Sequence, residues 1–220
     1  MSYGICFPLW RAGAPDWDAY VRAPFLTALA DGSLPRGAFL TYLAQDYLFL
    51  IHFARAWSLA VAKAGSLAEM RACSATVHAL IETEMRLHVD LCAQAGIAEA
   101  ALAATLEAPQ NLAYTRYVLE SGYSGDFLDL LAALAPCVLG YGEIGARLIA
   151  EPHDPAYADW IATYGGADYQ ALCHDTAALI DGAVAARLGP EAQALPRWRQ
   201  LQDRFSTATR LEAAFWTLAE

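Results

Sequence analysis

The stretch LAALAPCVLGYGEI, residues Leu131–Ile144, decides how this chain folds. It is apolar at almost every position and too long for a buried strand, so it predicts a helix enclosed by other elements. Pro136 has no backbone N–H to give, which predicts a kink or a restart at that point. A restart would set Cys137 near a positive helix end, where a thiolate is favoured. Tyr141 lies four residues on and shares the face of Cys137. Gly140, Gly142 and Gly145 remove side chains and admit another backbone or a flat ligand. A buried cysteine in such a helix is also an ordinary small core residue, and the stretch alone leaves both readings open.

Outward from this helix the apolar period stays near 3.6, and Pro and Gly pairs punctuate it. Helices are expected at 16–31, 36–64, 67–95, 110–121, 125–150, 155–164, 167–188 and 191–218, with no alternating strands, repeats or linkers. The expected fold is therefore all-α, an antiparallel bundle in one domain over residues 1–220. The segment 36–64 is apolar around nearly its whole circumference, which predicts a path through the centre.

The composition narrows function by exclusion. A hydrophobic content of 57% against 17% charged residues is high for a monomer and points to apolar subunit interfaces. No run reaches about 18 uninterrupted apolar residues, so no membrane span is expected. The N-terminal residues lack a basic region followed by an apolar core, so no secretory signal is expected either. A net charge of −10 disfavours nucleic acid as a partner. Five scattered cysteines without a CxxC spacing suggest neither disulfides nor structural zinc, and place the protein in a reducing cytoplasm.

Three polar groups interrupt apolar helices and so ask for partners or a ligand. Asp46 shares a face with Tyr42, Phe49 and Phe53; it is either hydrogen-bonded to a neighbour or aimed at a substrate. Glu212 interrupts the apolar side formed by Leu201, Phe205 and Trp216; it is either a surface carboxylate or a buried acid–base group. Glu84 and His88 are four apart in HALIETEMRLH, a spacing that a metal can use. The Glu-x-x-His pairs of di-iron bundles are missing, however, and a solvated or interface-facing charged stripe is the expectation. Tyr114, Trp160 and Tyr164 supply aromatic faces; together with the thiol they make a flat-ring pocket with nucleophile and acid–base chemistry conceivable.

The chain also resembles a known family. FLTYLAQDYLFLIHFAR, ETEMRLH, LAALAPCVLGYGEIG, HDPAYADWIATYGG and LEAAFWTLAE occur in the order found in the thiaminase II, or TenA-type aminopyrimidine aminohydrolase, family. The resemblance covers about residues 15–219 and implies the haem-oxygenase-like fold. It implies Cys137 as catalytic nucleophile, Glu212 as the acid–base group and Asp46 as the ligand of the pyrimidine's amino edge. Tyr114, Tyr141 and Tyr164 would line the pocket, with Glu84 and Phe49 also at the substrate. Phe49 stands where many members carry tyrosine, and VLGYGE after Cys137 replaces bulkier aromatics, which implies a roomier pocket. The implied reaction replaces a group on the methylene of a 2-methyl-4-aminopyrimidine by water, without metal or organic cofactor, in a homotetramer. Two rivals compete with it: a metal- or cofactor-dependent oxidase of the same fold using His78, Glu84, His88 or His174, and a non-catalytic pyrimidine binder.

Overall fold

The structure is a computed structural model that describes residues 3–219. Twelve α-helices account for most of it, and no strand occurs among the described residues. They are α1 (Cys6–Ala12), α2 (Trp17–Val21), α3 (Pro24–Ala30), α4 (Arg36–Lys63), α5 (Leu67–Ala79), α6 (Met85–Gln94) and α7 (Glu99–Ala103). Then follow α8 (Pro109–Ser124), α9 (Phe127–Ala150), α10 (Ala158–Gly165), α11 (Ala167–Leu188) and α12 (Pro196–Phe215). A π-helical turn, Leu80–Glu84, joins α5 to α6, and a 3₁₀ turn, Trp216–Ala219, follows α12.

The central helix is α9, which packs against α4, α8, α10, α11 and α12. Of its 24 residues 19 are buried. It is the one described helix apolar and long enough to cross a bilayer, and 94% of its most apolar window is packed inside the protein. The expected path of α4 through the centre is thereby corrected. Only 13 of its 28 residues are buried, and Thr41, Arg55 and Ser58 face outward.

The expected break at Pro136 does not occur either, and α9 runs through it without a new N-terminus at Cys137. The helix begins instead at a capping box in which Asp126 accepts from the Leu128 and Asp129 amides. Asp129 is then gripped by Arg197 at 2.6 Å and Arg204 at 2.5 Å, which ties the start of α9 to α12. Burial opposes its charge, yet the two guanidiniums hold the carboxyl down at about 2.

The glycines of α9 serve close packing rather than ligand space. A side chain at Gly140 would meet the Tyr20 ring, and one at Gly142 would meet Cys173 and the Tyr3 hydroxyl. These contacts overturn the expected roomier pocket, because core side chains already fill the space. At Gly145 the neighbour is backbone, the Tyr164 carbonyl and the Gly165 nitrogen, so α10 lies directly against α9. Gly145→Ala is accordingly expected to cost about 1–3 kcal/mol in chemical denaturation, since a backbone cannot rotate aside. Gly182→Ala, with nothing within 4 Å of an added Cβ, should instead stabilise the helix by about 0.5–1 kcal/mol.

Other differences lie in the shorter pieces. Asp16–Asp31 is two helices, α2 and α3, split before Pro24 because the residue preceding a proline avoids the helical region. The α1 and α7 helices had no sequence expectation; both are too short to establish a period.

Candidate active site

Cys137, Tyr141, Asp46, Tyr114, Tyr164 and Glu212 converge, although they come from α4, α8, α9, α10 and α12. Each is 8% exposed or less, so the site is enclosed, and its walls are largely aromatic. Tyr164 packs on Tyr141 with ring centres 4.9 Å apart and on Trp160 at 4.6 Å. The wall that sequence reasoning missed is Trp216. Just past α12, it lies against Phe25 at 5.1 Å, Tyr42 at 5.4 Å and Tyr141 at 5.6 Å. Phe49 stacks on Tyr114 at 5.0 Å and on Phe53 at 5.1 Å.

The polar groups form two opposed sets. In the first, Asp46 Oδ2 accepts from His88 Nε2 at 2.6 Å and from the Tyr42 hydroxyl at 3.1 Å. Tyr42 is itself held by Trp160 Nε1 at 3.3 Å. His88 Nδ1 lies 2.9 Å from the Glu84 carbonyl, which can only accept. Both ring nitrogens of His88 therefore face acceptors, the arrangement of an imidazolium. Burial opposes that charge, but Asp46 and Glu84 outweigh it and raise the imidazole's pKa.

This geometry corrects the expected solvated stripe on the third predicted helix. His88 is wholly buried, and Glu84 is half-buried with its Oε1 accepting from the Tyr164 hydroxyl at 2.8 Å. Burial and then Asp46 push the Glu84 carboxyl up to about 7, against the opposing pull of His88. The i, i+4 spacing of Glu84 and His88 was a usable signal, but it could not show that α4 lies opposite with a carboxylate. His78 and His174 are exposed and point elsewhere, and His174 packs beside Tyr3. No group of three His, Cys, Asp or Glu side chains among the described residues is arranged to hold a metal.

The second set surrounds the thiol. Tyr114 donates to Glu212 Oε1 at 2.8 Å, and the same carboxyl lies near enough to Cys137 to act on its thiol. Burial drives Glu212 up to about 8, so the chamber holds it largely protonated at neutral pH. Burial and the nearby carboxyls also raise the Cys137 thiol well above its usual value. This reverses the expected thiolate: no helix end is present to stabilise one, and Cys137 is a neutral S–H.

A neutral thiol beside a carboxyl of nearly neutral pKa is suited to concerted proton movement rather than to a standing anion. Opposite it, Asp46 is held through Oδ2, and its Oδ1 has no partner among the described residues. The chamber thus offers a flat ring an acceptor at one edge, a proton carrier at another and a sulfur nucleophile between them.

Comparison with known proteins places the chain among relatives. A model of the TENA/THI-4/PQQC family matches residues 10–220. An aminopyrimidine aminohydrolase of Halalkalibacterium halodurans is 35% identical over 96% of this chain and 93% of its own length. One of the same name from Bacillus subtilis is 31% identical, over 94% of this chain and 86% of that protein. A solved structure from Silicibacter, described as a TenA family transcription regulator, superposes with a TM-score of 0.97 at 56% identity. It covers 99% of this chain and 97% of that one.

Proposed function

This chain belongs to the TENA/THI-4/PQQC family and has its all-α, haem-oxygenase-like fold, and from that premise we propose that it is an aminopyrimidine aminohydrolase of thiamin salvage. The observation that carries this reading is the meeting of Cys137, Glu212 and the Asp46–His88 pair in one aromatic chamber. The substrate is a 2-methyl-4-aminopyrimidine bearing an amine, or the thiazolium of thiamin, on its methylene carbon. The product is the hydroxymethylpyrimidine. The whole span 1–220 is read as one domain of this kind.

In the proposed mechanism the ring slides between Tyr141, Tyr164 and Trp216, with Phe49 and Tyr114 behind it. Asp46 accepts from the 4-amino group through its free oxygen, while His88 keeps the carboxyl group oriented. Ionised Glu212 takes the thiol proton as sulfur bonds to the ring carbon, and passes that proton to the ring nitrogen. Net addition of S–H across a ring C=N bond removes the aromaticity. The ring's electrons then expel the leaving group with its bonding pair, the protonated amine departing as neutral ammonia, and generate an exocyclic methylene on a cationic ring. Water adds to that carbon and gives its proton to Glu212, and the sulfur departs with its pair and takes back the proton from the ring nitrogen as the ring regains aromaticity. Neither a metal nor an organic cofactor enters these steps. Ammonia release from aminomethylpyrimidine, with one equivalent of hydroxymethylpyrimidine formed, tests the reading.

Binding without turnover is the second reading, favoured by the description of the 56% identical structure as a regulator. Thermal stabilisation by the pyrimidine with no ammonia released would select it. The charge of −10 weighs against direct contact with a phosphate backbone.

Asp46→Asn should cost roughly 2–4 kcal/mol in kcat/KM, because it swaps an ion-paired acceptor for a neutral amide and leaves the His88 charge buried without its counter-ion. Unchanged kcat and KM would make Asp46 structural. A homotetramer in a reducing cytoplasm is the assembly and setting we propose. Exposed Leu106, Ile5 and Leu67 and five free thiols support it, and light scattering of the purified protein checks the assembly.

A further inference from the structure

Cys137 sits between two backbone carbonyls that side chains from other helices hold. The Pro136 carbonyl, one residue before it, accepts from the Tyr20 hydroxyl of α2 at 3.2 Å. The Val138 carbonyl, one residue after it, accepts from the Tyr169 hydroxyl and the Cys173 thiol of α11, each at 3.4 Å. Successive helical residues turn by about 100°, so the two carbonyls lie roughly 200° apart around the α9 axis, on nearly opposite sides with Cys137 between them. A grip on one side would let the helix roll about that contact, whereas grips on both sides fix its rotation.

The residues that grip are themselves held. Tyr20 is fully buried, meets Trp17 edge-on at 5.4 Å and lies nearly parallel to Trp216 at 6.5 Å. Its ring fills the space that Gly140 leaves free. Tyr169 meets Tyr164 edge-on at 4.9 Å, and Cys173, four residues on, is fully buried on the same face of α11. The gripped turn is also where α9 is weakest. Pro136 gives no N–H, so the ladder loses a bond just before the thiol. A carbonyl inside a helix already has an intrahelical donor, so these side-chain bonds are not needed to satisfy the backbone; what they add is orientation.

We propose that Tyr20 and Tyr169 are positioning residues that clamp the Cys137 turn of α9 from opposite sides and keep the sulfur in line with Glu212 and with the ring carbon it attacks. The proposal rests on the aminohydrolase reading and adds two residues that act through the backbone rather than on the substrate. A helical side chain extends about 5 Å from the axis, so a roll of about 20° carries the sulfur about 2 Å. A misplacement of about 1 Å is enough to cost roughly 10²-fold in rate.

Tyr20→Phe and Tyr169→Phe keep both rings and remove only the hydroxyls. Each should lower kcat for ammonia release about 10-fold, and the double variant about 10²-fold, with KM within about twofold. Tyr157→Phe is the control. It deletes the same kind of bond, from a buried tyrosine hydroxyl to the Leu34 carbonyl rather than to α9, and its kcat should stay within about twofold because no reacting atom moves. Alkylation of Cys137 by iodoacetamide, located by mass spectrometry, reads the sulfur without turnover. Loosening alone would open the chamber and speed labelling. A thiol turned away from Glu212 loses its proton acceptor instead, so labelling in the Tyr20 and Tyr169 variants should slow about 10-fold. Unchanged or faster labelling, or equal slowing in Tyr157→Phe, overturns the clamp. Slowed labelling in a protein that releases no ammonia keeps the clamp and removes the hydrolase, and turnover that neither variant alters does the reverse.

Discussion

Cys137→Ser is expected to lower turnover by at least ~10³-fold, with ring binding retained. The reason is electrostatic as much as chemical. The chamber disfavours any anion at this position, as the raised thiol shows. In the proposed mechanism sulfur attacks without a free thiolate, because its proton passes to the ionised fraction of Glu212 as the carbon–sulfur bond forms. A serine hydroxyl is a far weaker acid, and the same carboxyl cannot draw its proton off. Ammonia release under saturating substrate, beside a thermal melt, measures this. Cys73→Ala and Cys92→Ala serve as controls, since both thiols are buried away from the chamber and their loss affects stability alone. A rate near wild type in Cys137→Ser would end the covalent mechanism.

Glu212→Gln should reduce kcat by roughly 10²- to 10⁴-fold, since glutamine keeps the shape and the Tyr114 contact but carries no exchangeable proton. It should do so while making the protein more heat-stable at high pH. Burial raises the folded-state carboxyl from an ordinary 4.5 to about 8. Folding thus favours the protonated form. That contribution is complete below about pH 4.5 and is lost as pH rises through about 8. Glutamine never ionises, so the melting-temperature difference, mutant minus wild type, should widen between those limits. Glu84, raised to about 7, loses stability in the same direction and remains in the mutant, so some alkaline slope persists. A mutant that melts early at every pH with a matching loss of activity would make Glu212 a structural residue. Full activity would remove it from the mechanism.

The fold was legible because burial is periodic. The segments around Cys137, Asp46 and Glu212 carry long apolar stripes whose spacing fixes them as helices, and α4, α8, α9, α11 and α12 lie close to the expected spans. Short elements were not legible, since α1 and α7 complete too few turns for a stripe to repeat. Within the site, the polar interruptions in apolar helices marked Asp46 and Glu212, and both are buried at the chamber. His88 was hidden by its neighbourhood in ETEMRLH, where Glu82 and Arg86 pair on the exposed face of the same helix.

The sequence by itself determined the all-α class, the helix that forms the core and the thiol and carboxylates that interrupt it, because periodicity and burial of polar groups are local properties. Tertiary structure alone decided their protonation. The pKa of Cys137, Glu84 and Glu212 depends on how much water the other helices exclude and on which charges those helices bring near, and residues far apart in the chain set both, as Tyr114 and Glu212 do from 98 positions apart. Pro136 shows the same division. Its missing N–H is written in the sequence, but enclosure by the neighbouring helices keeps α9 continuous through it and so denies Cys137 a helix end.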